Sequence, residues 1–336
     1  MSSSLGIFGG LPVDVLSGVC RHLQMNDVVN LTHLDAHLET LVESIIYKEI
    51  KGIRVELLEQ NDVIQFTFKD GHVTHMNLNR VDWQNVVKFA TCTESLELDI
   101  SPQKSTSQLF HVLKRSGFAL RTLKVKIREV VSKSAHKLSI IHQRCNSLVA
   151  QHKKTLLHLE ASTSDEQHVV LTMNTTANSM KLTYNQSAES TPSERGTTNH
   201  YFVYNMFHVL LECQPTRQVI LEIGNKHDVQ LALQKAFQIA IPYSQRPLLE
   251  TLTIEFGNSL KETTKEEMKK ALLSHVEEFH CHTPNLLHFH CNLPHDQIDL
   301  SQEFLSLLNE PVRKTRKSPS SRPYNSSISL RSVRCQ

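Results

Sequence analysis

Seven residues in the last quarter of the chain form its densest set of metal-capable side chains: His280, Cys281, His282, His288, His290, Cys291 and His295. Imidazole and thiolate together are what zinc accepts. Their spacing matches no finger or knuckle. Leu287, Phe289 and Cys291 alternate with His288 and His290, which is a strand pattern. On a strand the two histidines share one face while Phe289 and Cys291 share the other. The expectation is a pair of solvent-facing histidines over a core-facing cysteine, with no metal and no other cofactor.

Other chemistry finds still less to work with. The chain has no G-x-x-x-x-G-K, G-x-G-x-x-G, H-E-x-x-H or G-x-S-x-G motif. Its ten glycines cluster only at Gly9-Gly10, so no phosphate-cradling loop is present. No spacing suggests paired carboxylates or a Cys/His nucleophile. The chain is expected not to be an enzyme.

The strongest pattern lies in residues 8–46 and is one of helices. Pro12 suits the first turn of a helix, where its fixed φ helps and its missing N–H costs nothing. Val15, Leu16, Val19, Cys20 and Leu23 then recur at three/four spacing. Asn26 and Asp27 read as a cap with an acidic first turn, opening a second helix through Val28, Val29 and Leu31. Leu34, Leu38, Leu41, Val42, Ile45 and Ile46 stripe a third. Three such short helices bury too little to stand alone, so a partner or the rest of the chain must cover them.

This pattern resembles the F-box, the adaptor-binding module of SCF-type ubiquitin ligases. The residues that carry the likeness are LPVDVL at 11–16, Val19, Leu23, Asp27-Val28-Val29 with Leu31, and the Leu38/Leu41/Val42 stripe. The chain departs from the family at Leu34-Asp35-Ala36-His37-Leu38, where F-boxes usually place a valine and small polar residues before an aromatic. The resemblance implies that the chain docks on a Skp-family adaptor, and through it on a cullin, to present a protein substrate for ubiquitination. It also implies that the chemistry belongs to other subunits. By the same likeness the adaptor-binding residues are Leu11, Pro12, Val15, Leu16, Val19, Leu23, Val28 and Leu31, with Leu34 and Leu38 behind them.

Composition fits a chain of this kind. Of 336 residues 39% are hydrophobic and 21% charged, as in an ordinary globular protein, and no apolar run is long enough for a membrane span. Seven scattered cysteines without a CxxC suit a reducing compartment, hence cytoplasm or nucleus. Residues 311–336 carry seven basic side chains and no acid, so a net charge of +2 leaves −5 on the rest. A mildly acidic body with a basic tail is a poor nucleic-acid reader.

Beyond residue 50 the pattern turns to strands and helices. Ile53–Leu58, Val63–Phe68 and Val73–Leu78 read as strands, with Asp70-Gly71 as a hairpin turn. Then a short alternating strand followed by a helix-length stretch recurs. The strands are Leu96/Leu98/Ile100, Leu123/Val125/Ile127, Leu157/Leu159, Met180/Leu182/Tyr184, Val219/Leu221/Ile223, Leu252/Ile254/Phe256 and Leu287/Phe289/Cys291. Helices are expected over 105–116, 134–152, 201–213, 228–241 and 262–280. The leucine-rich-repeat core survives only at Leu120-Leu123-Val125 and Leu249-Leu252-Ile254. The expected fold is therefore α/β: a three-helix F-box over 8–50, then a β-hairpin and an irregular, leucine-rich-repeat-like array of β–α units over 51–310. Residues 185–200 read as a loop and 311–336 as a disordered basic tail.

Two other classes fit the same residues. One is a protein-interaction scaffold unconnected with ubiquitin, its N-terminal helices capping the repeat array. The other is a chromatin- or RNA-associated protein acting through its tail.

Overall fold

Alternation of apolar and polar residues puts one face of each strand in the core, and in the computed structural model these strands join into one twelve-stranded sheet. The structure describes residues 11–80, 82–128, 135–163, 167–174, 179–186, 217–224, 249–256, 264–282, 285–293 and 296–309. The strands are β1 (Ile50–Leu57), β2 (Asp62–Phe68), β3 (Val73–Asn77), β4 (Ser95–Ile100), β5 (Thr122–Ile127) and β6 (His158–Thr163), followed by β7 (Gln167–Asn174), β8 (Ser179–Gln186), β9 (Gln218–Gly224), β10 (Thr251–Phe256), β11 (His288–Leu293) and β12 (Asp296–Asp299). The described helices are α1 (Val13–His22), α2 (Met25–Thr32), α3 (Ala36–Leu41), α4 (Trp83–Phe89), α5 (Ser107–Arg115), α6 (Ala135–His152), α7 (Lys265–His282) and α8 (Ser301–Asn309). The helix at α3 runs on through a π turn at Val42–Ile46 and a 3-10 turn at Tyr47–Glu49.

From β4 to β12 each strand lies beside the one before it, while β1, β2 and β3 extend the sheet beyond β4. The pairings β1–β4, β4–β5, β5–β6, β8–β9, β9–β10 and β10–β11 are parallel. The register carries the core across the sheet: Ile53, Leu96, Leu123 and Leu159 stand at one level, and Val55, Leu98, Val125 and Ala161 at the next. All eight are buried. Parallel crossovers are right-handed, so strands added steadily in one direction keep their helices on one face. Leu109 and Leu113 of α5, and Cys145, Leu148 and Val149 of α6, pack into that same core. Among the described residues the opposite face is largely polar and uncovered. The architecture is mixed α/β with a large, mostly parallel sheet.

The hairpin expected at Asp70-Gly71 forms between β2 and β3. Gly71 sits at φ 87°, which only glycine adopts freely, and Asp70 accepts the His72 N–H at 2.9 Å.

The sequence pattern needs correction in several places. The β–α unit does not recur throughout. Between β6 and β8 stands an extra strand, β7, antiparallel to both. That is the shortest of the expected intervals, and the chain fills it with two hairpins in place of a crossover helix. Elements α4, α8 and β12 are additional. The second helix begins at Met25 with Gln24 in the cap position, so Asn26 and Asp27 lie inside its first turn. Leu34 falls between α2 and α3. Strand β8 reaches Gln186, so the loop starts later than residue 185. The remainder of that loop, the helices expected at 201–213 and 228–241, and the tail lie outside the described residues.

Candidate functional site

Helix α1 starts where Pro12 sets the backbone at φ −58°, and its carbonyl accepts the Leu16 N–H at 3.0 Å. From there the turn of the helix divides its side chains. Leu16, Ser17 and Cys20 point into the core, and burial pushes the Cys20 thiol up, so it is a packing group and no nucleophile. Val15 and Val19, one turn apart, point outward with 43% and 41% of their surface exposed, and Val13 is 46% exposed. Three exposed valines on ten residues of helix form an apolar surface that can bind a partner but can do no covalent chemistry.

The helices that carry this surface are fastened to the end of the sheet. Arg21 Nε donates to Glu49 Oε2 at 2.8 Å. The Met25 N–H donates to Thr74 Oγ1 on β3 at 2.9 Å, and that hydroxyl lies 3.3 Å from Gln24 Oε1. Asp35 caps α3 by accepting the His37 N–H at 2.7 Å. Met25, Val28, Val29, Leu38, Leu41, Val42 and Ile46 are buried in the same core as the sheet. Tyr47 joins them, its phenol pushed well above the ordinary range first by burial and then by Glu43 nearby.

The residues singled out from sequence therefore divide into three groups. Pro12, Val15 and Val19 are exposed. Leu11, Leu23 and Leu31 are half-buried against the core. Leu16 and Val28 are core side chains and offer no contact surface in the folded chain. Leu34 is 69% exposed, whereas Leu38 is buried. Val13 belongs to the surface although it is not among the residues expected to bind an adaptor. Helix spacing names the apolar residues, but which of them face outward depends on β3 and α4, which pack from elsewhere in the chain.

The second surface is the open face of the sheet. Arg54, Glu97, Lys124 and Glu160 stand at one level on β1, β4, β5 and β6. Their signs alternate, and neighbours approach to 3.9, 3.5 and 3.5 Å. One level on, Arg128 forks over Asp99 with bonds of 2.8 and 2.7 Å, and the Asp99 side chain is 10% exposed. Farther along, Lys181 lies 3.2 Å from Glu222 and 3.3 Å from Glu255. These residues are the polar half of the strand alternation, and that alternation is the signal by which they are found.

From His288 on the alternation is as expected, with Phe289 and Cys291 buried, His288 exposed and His290 half-buried, but Leu287, expected to open the core side of the strand, precedes β11 and is 50% exposed. The two imidazoles stack at 6.0 Å between centroids, and His290 Nδ1 lies 3.6 Å from Asp299 on β12. Burial pushes the Cys291 thiol up to about 12, which keeps it protonated at neutral pH. Among the described residues no three His, Cys, Asp or Glu side chains converge on a point where a metal would sit. The side chains of His280, Cys281 and His282, and His295 altogether, lie outside the described residues. No helix among the described residues is long and apolar enough to cross a membrane. No family model matches the chain, and no curated protein sequence matches it either.

Proposed function

We propose that this chain is the substrate-recognition subunit of an SCF ubiquitin ligase, docking on a Skp-family adaptor through an F-box formed by its N-terminal helices and presenting a protein substrate from its sheet-based body. The observation that supports the reading is the surface of α1. A Leu-Pro start leads into a helix that leaves Val13, Val15 and Val19 outside while every large apolar side chain of α2 and α3 packs inward or half inward. Such a ligase subunit works by proximity, raising the effective concentration of a target lysine near an activated thioester. It needs binding surfaces and no catalytic group.

The decisive experiment is affinity purification under proteasome inhibition, with adaptor and cullin as the expected companions. Val15→Asp with Val19→Asp should weaken adaptor binding by roughly a hundredfold, since buried interface anchors cost ~2 kcal/mol or more each. Both side chains face solvent in the free chain, so the melting temperature should hold within about 2 °C. Leu11→Ala is a poorer probe because Leu11 also packs on the core. A wild-type chain that binds no adaptor would sink the proposal.

One observation favours a second reading, a protein-interaction scaffold outside the ubiquitin system. The N-terminal helices share a continuous core with β1–β3 and α4, as a cap on the sheet's end would. On that reading the valine pair is replaceable with no change in any adaptor-dependent property.

A further inference from the structure

Between Asp99 and Glu160 the chain holds twelve lysines and arginines and a single acid, Glu129. That stretch carries +11. With the tail at +7 and the whole chain at +2, the remaining residues together carry −16. The basic stretch builds β5, α5 and α6, and its charges meet two fates. Lys124 and Arg128, on the sheet side, are matched by Glu97, Glu160 and Asp99. On the helix side, Lys114, Arg115, Arg144 and Lys154 have no carboxylate partner among the described residues.

Between α5 and α6 lies a groove of about 220 Å³. Phe110 and Leu148 form its apolar floor, and His111, Lys114, Arg144 and Ser147 form its walls. Arg144 is held in place before anything binds. Arg144 donates from Nη1 to Thr106 Oγ1 at 2.6 Å and from Nη2 to Ser107 Oγ at 2.8 Å, leaving the rest of its five N–H donors for a ligand. Gln151 donates to the Lys114 carbonyl at 3.1 Å, tying the two helices together.

The size and chemistry of the groove select its occupant. Small-molecule and cofactor sites run to roughly 300–1,000 Å³, so this one holds one or two side chains only. Its charged walls are cationic without exception, and its floor is apolar. Nucleic acid would use the cations but find no exposed phenyl, phenol or indole ring among the lining residues for base stacking, whereas an aliphatic side chain needs only the narrow apolar strip that Phe110 and Leu148 leave open. We propose that the α5–α6 groove docks an acidic peptide segment of a partner protein, its carboxylates against Lys114 and Arg144 and one apolar side chain on Phe110 and Leu148. Arg144 gives planar, two-pronged recognition of a carboxylate, and Lys114 adds a point charge. This surface is remote from α1 in sequence and stands independently of the adaptor reading.

The test uses the full chain and fluorescence anisotropy of a fluorescein-labelled acidic peptide, a central leucine flanked by Asp and Glu. A matched peptide with alanine at the centre and a short oligothymidylate serve as comparisons. The leucine peptide should bind at least ~threefold tighter than the alanine peptide, and both should weaken as salt rises. Lys114→Glu should weaken binding roughly tenfold, while Arg54→Glu on the open sheet face stays within ~twofold. Ser147→Trp fills the groove without changing charge and should erase the difference between the two peptides. Circular dichroism and melting confirm that each variant folds, and Lys114→Gln replaces Lys114→Glu if the reversal does not. Three results would overturn the proposal: no peptide binding by folded wild type, equal losses for Lys114→Glu and Arg54→Glu, or tighter binding of the oligonucleotide through the same lysine.

Discussion

On the open face of the sheet most charges are answered by neighbours one strand away, whereas on the outer side of α5 and α6 they are not. Arg54, Glu97, Lys124 and Glu160 follow one another across four strands with alternating sign. Lys114, Arg115, Arg144 and Lys154 lie on or just beyond two helices, neither of which carries an acid. The difference follows from geometry. Parallel register sets side chains of adjacent strands about 4.8 Å apart, so a ladder of one sign would repel at every step and the sequence must alternate. Two packed helices impose no such spacing on their outer faces, and an excess of one sign can persist there. Most charge on the described sheet face is thus paired within the fold, Lys126 apart, while charge on the outer faces of the two helices is not.

The sharpest way to break this contrast is at Asp99. Asp99→Ala leaves the Arg128 guanidinium without its two bonds and should cost about 1–3 kcal/mol in urea denaturation. A cost near zero would mean that the open-face pairs only decorate the fold. Acid should act from the helix side. Burial holds the His142 imidazole, on α6, down to about 4 from its ordinary 6.5. The native state then binds fewer protons than the unfolded chain between those values, so stability falls as pH drops through that window. Going from pH 7 towards 4 should cost on the order of 1–2 kcal/mol at this site after discounting its partial exposure, and His142→Leu should flatten the curve. His152, held low by burial as well, supplies part of the slope that persists.

Two charge reversals should then show opposite signs. Glu97→Lys sets a third cation between Arg54 and Lys124, with an expected loss of about 1 kcal/mol that shrinks in 1 M salt. Lys137→Glu, in the acid-free first turn of α6, places an anion at a helix N-terminus amid excess positive charge. It should gain a few tenths of a kcal/mol, read as a small rise in melting temperature. Equal signs for the two reversals would erase the distinction between the faces.

Much of this architecture was legible as sequence. Leu96/Leu98/Ile100 and its counterparts alternate cleanly because one side of each strand is covered and the other wet. Strand β7 escaped because Val169-Val170-Leu171 runs continuously instead of alternating, and β12 because four residues with one large apolar side chain, Ile298, carry almost no pattern. At α1 the apolar spacing was plain, yet whether Val15 or Leu16 faces outward is decided by how the helix packs on the turn at Val42–Ile46. The basic stretch was visible to simple counting. An average of −5 over the body concealed it, because acidic segments on either side outweigh it.

The order of the strands bears on how the chain is made. From β4 to β12 each described strand pairs with its predecessor, so a chain emerging from the ribosome can lay down each new strand on an edge already formed. The exception is β4, which must bypass β2 and β3 and pair with β1. Once that step is taken, the hairpin is turned outward and β3 becomes the fixed rim, with α2 bonded to it through Thr74. Growth can then proceed in one direction only. Among the described strands it ends at β12, whose four residues give a newly arriving strand little to pair with, which protects a sheet assembled by accretion from recruiting a second chain.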